Sequence, residues 1–154
     1  MQARINVNEK SPNAVKALFQ LGGYMYKSSF DQHLLMLVYF RVSQVNRCAV
    51  CLDMHSKELR AAGETEQRLY MMDAWRESPM YTDRERAAFA WAEGVTQLSV
   101  ENVPDHLYAT VREQFSEEEV IELTMGIITI NAYNRLNIAF RMTAGNYQTG
   151  GSAA

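Results

Sequence analysis

Three prolines punctuate this chain, Pro12, Pro79 and Pro104, and each falls where a helix would start or part from its neighbour. Proline has no amide proton and clashes with the preceding helical turn, so it is welcome in the first helical position and excluded from the interior. Ser11-Pro12 reads as an N-cap followed by that first position. It predicts a helix over residues 12–27, softened at Gly22-Gly23. Leu34, Leu35, Leu37, Val38, Val42 and Val45 give residues 31–45 a broad apolar face at helical spacing. A third helix begins near Cys48 and ends before Gly63, a C-terminal glycine, and a short fourth follows Thr65 over residues 66–76. Thr82 with Glu85, and Ser116 with Glu119, have capping-box form. They open helices reaching about residue 98 and running over residues 117–144, with another from Pro104 to residue 113 between them. No segment sustains the period of two that a strand needs. The expectation is an all-α single domain over residues 12–146, preceded by an N-terminal segment (1–11) and followed by a flexible tail (147–154).

A chain of 154 residues, 47% hydrophobic and 21% charged, can build one real core. Its net charge of −3 offers nothing to track a phosphate backbone, which argues against nucleic-acid binding. No apolar run approaches the roughly 20 residues that span a bilayer, and the first ten residues lack the apolar centre of a signal peptide. A cytoplasmic location is expected, where a purely structural disulfide is disfavoured.

That matters because the only two cysteines stand together as Cys48-Ala49-Val50-Cys51, with His55 four residues after the second. A Cys-x-x-Cys pair can close a reversible disulfide or supply half of a metal site. Both cysteines fall in or beside the first turn of a predicted helix, where unpaired N–H groups stabilise a thiolate. Residues four apart share a helix face, so His55 lies beside Cys51. On this reasoning His55 activates Cys51, which attacks an oxidant, and Cys48, at the helix entrance, is the more exposed thiol that condenses with it. Glu93 is the only charged residue between Ala87 and Val100, set among Ala88, Phe89, Trp91, Ala92 and Val95. Burial there would raise its pKa and suit it to proton relay; the alternative is a structural hydrogen bond to an arginine or backbone group. His33 and His106 are expected in surface or capping roles. Asn131, Asn134, Arg135 and Asn137 are expected to bond within the core or across a subunit interface. Met54, Met71 and Met72 read as core filler.

The run Arg41-Val42-Ser43-Gln44-Val45-Asn46-Arg47-Cys48-Ala49-Val50-Cys51-Leu52-Asp53-Met54-His55-Ser56-Lys57, followed by Ala61-Ala62-Gly63-Glu64, closely resembles the alkylhydroperoxidase AhpD-like core of the carboxymuconolactone decarboxylase superfamily. Trp91-Ala92-Glu93 and Asn131-Ala132-Tyr133-Asn134-Arg135-Leu136-Asn137 look like single-domain members too. The resemblance implies an all-helical fold assembling as trimers or hexamers. It implies a peroxidase without a cofactor, in which Cys48 and Cys51 cycle between dithiol and disulfide. A small organic hydroperoxide would be the oxidant and an external thiol or dithiol the reductant. By carry-over Cys51 is the peroxide-reacting thiol, Cys48 its resolving partner and His55 the family's histidine. One departure stands out: the family's pattern places a glutamate twelve residues before the first cysteine, and here that position is Met36. Either the relay is shortened or Glu93 supplies the carboxylate from another helix.

Two other functions compete. Cys48, Cys51 and His55 would give three metal ligands, but a closed zinc site needs a fourth, which His33 or His106 would have to provide. In a lactone decarboxylase, His55 and Glu93 would do acid–base work with the cysteines dispensable. The final helix is apolar around much of its circumference between Val120 and Phe140, which predicts a homo-oligomer packed along one flank.

Overall fold

A computed structural model describes residues 2–100 and 102–150. Among these the chain is all helical: α1 (Val7–Lys10), α2 (Pro12–Lys27), α3 (Gln32–Asn46), α4 (Ala49–Ala61), α5 (Glu66–Met71), a 3-10 turn (Met72–Ala74), α6 (Asp83–Thr96), α7 (Asp105–Gln114) and α8 (Glu117–Phe140). The prolines stand where helices start or part: Pro12 opens α2, Pro104 is the N-cap of α7, and Pro79 lies between the 3-10 turn and α6. Both capping boxes form. Thr82 accepts from the Glu85 amide at 3.2 Å while Glu85 accepts from the Thr82 amide at 2.7 Å. Ser116 and Glu119 repeat the arrangement at 3.1 and 2.8 Å. Ser11 holds the N-cap position of α2 without a side-chain capping bond, and α2 runs unbroken through Gly22-Gly23.

α3 is the hub, packed against α4, α6 and α8. Its Leu34, Leu35, Leu37, Val38 and Val42 meet Ala88, Phe89 and Ala92 of α6 and Leu123, Ile127 and Ile130 of α8 in one apolar cluster. Gly126 sets the depth of the α3–α8 contact. A Cβ there would lie 2.5 Å from Leu35 Cδ1, so a larger residue would force the buried Leu35 side chain to shift. No helix among the described residues is long and apolar enough to cross a membrane.

Four differences separate the observed helices from the sequence expectations. One extra turn, α1, forms because Asn6 Oδ1 caps the amides of Asn8 and Glu9. The helix expected over residues 66–76 stops at Met71 and tightens to 3-10. After that turn the Arg86 guanidinium binds the carbonyls of Trp75 and Arg76, at 2.9 and 3.1 Å. α6 ends at Thr96, two residues early. α8 ends at Phe140 rather than residue 144. Arg141 turns left-handed (φ 53°), the Met142 amide bonds back to Asn137, and Arg4 occupies the carbonyls of Ala139 and Phe140.

This early stop sends the chain back across α4. The Gly145 amide donates to Asp53, Lys57 Nζ donates to the Tyr147 carbonyl, and the Tyr147 hydroxyl donates to Glu58. Residues 151–154 of the expected tail lie outside the described residues.

Candidate active site

The turn between α3 and α4 places the cysteines. Arg47 adopts a left-handed conformation (φ 58°), and the Cys48 amide reaches back to the Ser43 carbonyl at 3.0 Å, closing α3. Cys48 thereby becomes the N-cap of α4 and Cys51 sits in its first turn. Their sulfurs are 2.9 Å apart, within reach of a shared proton, and both cysteines are free.

Cys48 is not the more exposed thiol. Both cysteines are 1% exposed, inside the apolar cluster with α3 and α8 packed over the start of α4. Helix position fixes which turn a residue occupies, but not what covers that turn.

The charge distribution also departs from expectation. The bond shared with Cys51, followed by the nearby amides of Cys51 and Val50 and the Asn137 side chain, outweighs burial and lowers the Cys48 thiol to about 6. The Cys51 thiol is pushed up by that same bond to Cys48, by burial and by the Cys48 charge. The thiolate is thus favoured on Cys48 within a pair that shares one proton, and Asn137 Nδ2 donates to Cys51 Sγ at 3.2 Å.

His55 is 4% exposed, with its ring edge-on to Tyr39 at 5.4 Å between centroids. Neither ring nitrogen has a hydrogen-bond partner among the described residues. Nδ1 does lie 3.4 Å from Glu58 Oε2, close enough for charge attraction though not aligned as a hydrogen bond. The His55 contact is the largest influence on the Glu58 carboxyl; with the Tyr147 hydroxyl it outweighs burial and holds that carboxyl below its ordinary range.

Glu93 is not part of this cluster. Its Oε1 accepts from Arg41 Nε at 2.8 Å and Trp75 Nε1 at 2.7 Å, and its Oε2 from Arg76 at 2.6 Å. Burial by itself pushes the carboxyl up, but the indole N–H and the two guanidiniums together outweigh it, and Glu93 is held low instead of raised. A carboxylate held low by three donors is not poised to pass a proton, and among the described residues no hydrogen bond or ion pair joins it to His55. The acid–base pairing of His55 with Glu93 is therefore not assembled, and Met36, partly buried against the core, offers no replacement.

The remaining polar residues divide by role. His33 meets Glu64 at 3.2 Å, and His106 is exposed in the first turn of α7. Asn46 donates to both Asn131 and Asn134 at 2.9 Å, and Asn134 donates to Ser43 at 3.1 Å, tying α8 to the end of α3. Asn137 is different because it touches a reacting atom, a role its neighbours in sequence do not signal. Glu58 had a signal: with Cys51 and His55 it lies at positions i, i+4 and i+7 of one helix face. Among the described residues no group of three His, Cys, Asp or Glu side chains is placed to hold a metal ion, so the expected alternative of a Cys48, Cys51 and His55 metal site is not assembled.

A buried dithiol at a helix N-terminus, with a histidine one turn deeper in an all-helical domain, defines a class of helical thiol-pair folds. The chain belongs to the carboxymuconolactone decarboxylase family, whose profile matches residues 12–94, and within that superfamily it is AhpD-like. The uncharacterized protein YdfG of Bacillus subtilis is 40% identical over 139 residues, covering 90% of this chain and 95% of that protein. A crystal structure of an Agrobacterium tumefaciens protein of unknown function, suggested to be the antioxidant defence protein AhpD, superposes with a TM-score of 0.92. It is 39% identical, covering 95% of this chain and all (100%) of that one. The debrominase Bmp8 shares the fold at a TM-score of 0.79 and 20% identity, covering 90% of this chain and 74% of its own.

Proposed function

We propose that the protein is a cytoplasmic thiol-dependent peroxidase of the alkyl hydroperoxide reductase kind. The observation that carries this reading is the 2.9 Å sulfur pair at the start of α4, with a thiolate favoured on Cys48. The hydroperoxide takes two electrons from one sulfur: an S–O bond forms, the O–O bond breaks, and the leaving alkoxide picks up a proton to become an alcohol. The second thiol then attacks the sulfenic acid, forming the disulfide and releasing water. An external dithiol returns two electrons and two protons. The resting charge favours attack by Cys48 with Cys51 resolving, the reverse of the order implied by the resemblance. His55, buried beside Cys51 on the same helix face, takes up the proton that Cys51 must lose to act as a nucleophile, and Asn137 steadies the sulfur left charged.

The test is a free-thiol count on reduced protein before and after one equivalent of an organic hydroperoxide. Loss of both thiols, reversed by a dithiol, is expected; two thiols persisting would overturn the reading. Dimedone trapping in Cys48→Ser and in Cys51→Ser reads the order of attack, because sulfenic acid accumulates on the attacking cysteine when its resolving partner is missing.

We also propose that the chain forms a homo-oligomer, a trimer or a hexamer, through the outer face of α2 and α8. Phe19, Tyr24 and Tyr26 of α2 and Ile121 and Ile128 of α8 are large and exposed there. Light scattering on the eluted peak gives the mass that decides it.

A further inference from the structure

His55 is buried with no hydrogen bond to either ring nitrogen, yet a histidine that moves protons needs a partner to fix its tautomer and its plane. Position 36, where the family's pattern has a carboxylate, holds methionine, and Glu93 is consumed by Arg41, Arg76 and Trp75. Among the described residues one carboxylate meets the ring: Glu58, one turn further along α4, with Oε2 3.4 Å from His55 Nδ1. Its other oxygen, Oε1, accepts the Tyr147 hydroxyl.

Tyr147 reaches Glu58 because the chain folds back after α8. Gly145 takes a left-handed turn (φ 103°) with its amide on Asp53, and Lys57 holds the Tyr147 carbonyl at 3.0 Å while pairing with Asp53 at 2.8 Å. The segment is thus tied to α4 at Asp53, Lys57 and Glu58. The first two ties lie outside the sulfur cluster and serve to deliver the third.

We propose that Glu58, clamped by Tyr147 from the segment after α8, is the positioning carboxylate that holds His55 for proton transfer to and from the Cys48–Cys51 pair. A small rotation of the ring from the 3.4 Å charge contact lets Glu58 accept from Nδ1–H, which leaves the Nε2 lone pair free to take a proton. Tyr147 keeps Oε1 occupied so that Oε2 stays directed at the ring. The inference rests on the thiol peroxidase reading, in which His55 serves the cysteines, and it gives the carboxylate role to His55's own helix.

Two readouts test it. The first needs no oxidant: 15N chemical shifts of the His55 ring report its tautomer. Wild type is expected to show Nδ1–H, and Glu58→Gln a mixture of the two neutral forms. The second is the rate of thiol loss with an organic hydroperoxide at neutral pH. Glu58→Gln, which keeps the side-chain shape and can still accept from Tyr147, is expected to slow it roughly tenfold. Tyr147→Phe, which leaves the carboxylate charged but unclamped, is expected to slow it by about two- to threefold, a smaller loss than removing the acid–base partner itself. Circular dichroism checks that both variants fold. An unchanged tautomer in Glu58→Gln overturns the proposal, as does an unchanged rate in a variant whose tautomer has shifted. Wild-type protein inert to hydroperoxide would overturn the peroxidase reading instead, and the tautomer measurement would then decide the Glu58–His55 pairing alone.

Discussion

Two buried polar clusters flank α3, and they are built on opposite principles. Around Glu93 both carboxylate oxygens are taken, with Arg41, Arg76 and Trp75 converging on one acid. Around His55 neither ring nitrogen is bonded, and the nearest charge, on Glu58, is misaligned at 3.4 Å. Burying a polar group without partners is costly, so a fold keeps one only where something is gained by leaving it free. The difference separates a residue that holds the molecule together from one available for chemistry, although sequence alone made both look like candidates for the same relay.

The largest expected effect falls on the cysteines. Cys48→Ser or Cys51→Ser removes disulfide closure altogether, so peroxide turnover should fall to background while the helical spectrum is kept. Turnover persisting in the double variant would place the chemistry elsewhere. Next comes the inverse experiment at Glu93. Glu93→Gln leaves Arg41, whose side chain is only 9% exposed, with the exposed carboxylate of Asp73 as its remaining charge partner. Breaking such a pair should cost about 3 kcal/mol of stability. The thiol-loss rate per folded molecule should stay near wild type, as urea unfolding and a hydroperoxide assay on the same samples would show. A stable but slow Glu93→Gln variant would erase the contrast between the clusters and return Glu93 to the relay.

Acid sharpens the contrast further. Glu58, Glu64 and Glu93 are all held below the ordinary carboxyl value of 4.5 in the folded state. An acid whose folded value is depressed adds stability that is fully present above its unfolded pKa. That stability is lost as pH falls through the folded value. The urea midpoint should therefore be flat near neutrality and fall from about pH 5 downward. The Glu93→Gln variant should show a shallower fall, having already lost one of these contributions. On the reactive side, absorbance of the thiolate at 240 nm should rise with a midpoint of about 6. Cys48→Ser should abolish that step. Asn137→Leu should move it upward by less than about one pH unit, because one donor among several is removed.

Most of the helical frame was legible in the sequence because its signals are local. The capping boxes at Thr82 and Ser116, the prolines at positions 12 and 104, and Gly63 (φ 94°) at the end of α4 each act within one turn of themselves. What the sequence did not disclose depends on partners distant along the chain. Arg4 meets the last carbonyls of α8, Arg86 those of the turn after α5, and Asn137 the sulfur of Cys51. The same holds for the site. Cys48, Cys51 and His55 were visible from spacing, but their burial and the placement of charge on Cys48 required knowing what α8 lays against α4. Glu93 misled because an isolated acid in an apolar helix has the same pattern whether it answers a proton or an arginine. Glu58 was in plain view at i+3 from His55, and in a helix rich in charge its place on the cysteine face was the only clue.

The smallest expected effect concerns the hinge between the two clusters. Arg47 is exposed and left-handed, in the turn that ends α3 and presents Cys48. Its side chain makes no hydrogen bond or ion pair among the described residues, so only its backbone matters to the fold. A left-handed non-glycine residue costs roughly 1–2 kcal/mol, and glycine would relieve that while losing about 0.5–1 kcal/mol to the greater freedom of its unfolded chain. Arg47→Gly should therefore stabilise the protein by at most about 1 kcal/mol, a small upward shift in the urea midpoint. If the turn serves only to place Cys48, the thiolate midpoint stays near 6 and the thiol-loss rate is unchanged. A stabilised but slower variant would instead mean that the strain is used by the site, so that the reactive cluster is held under tension as well as left unsatisfied.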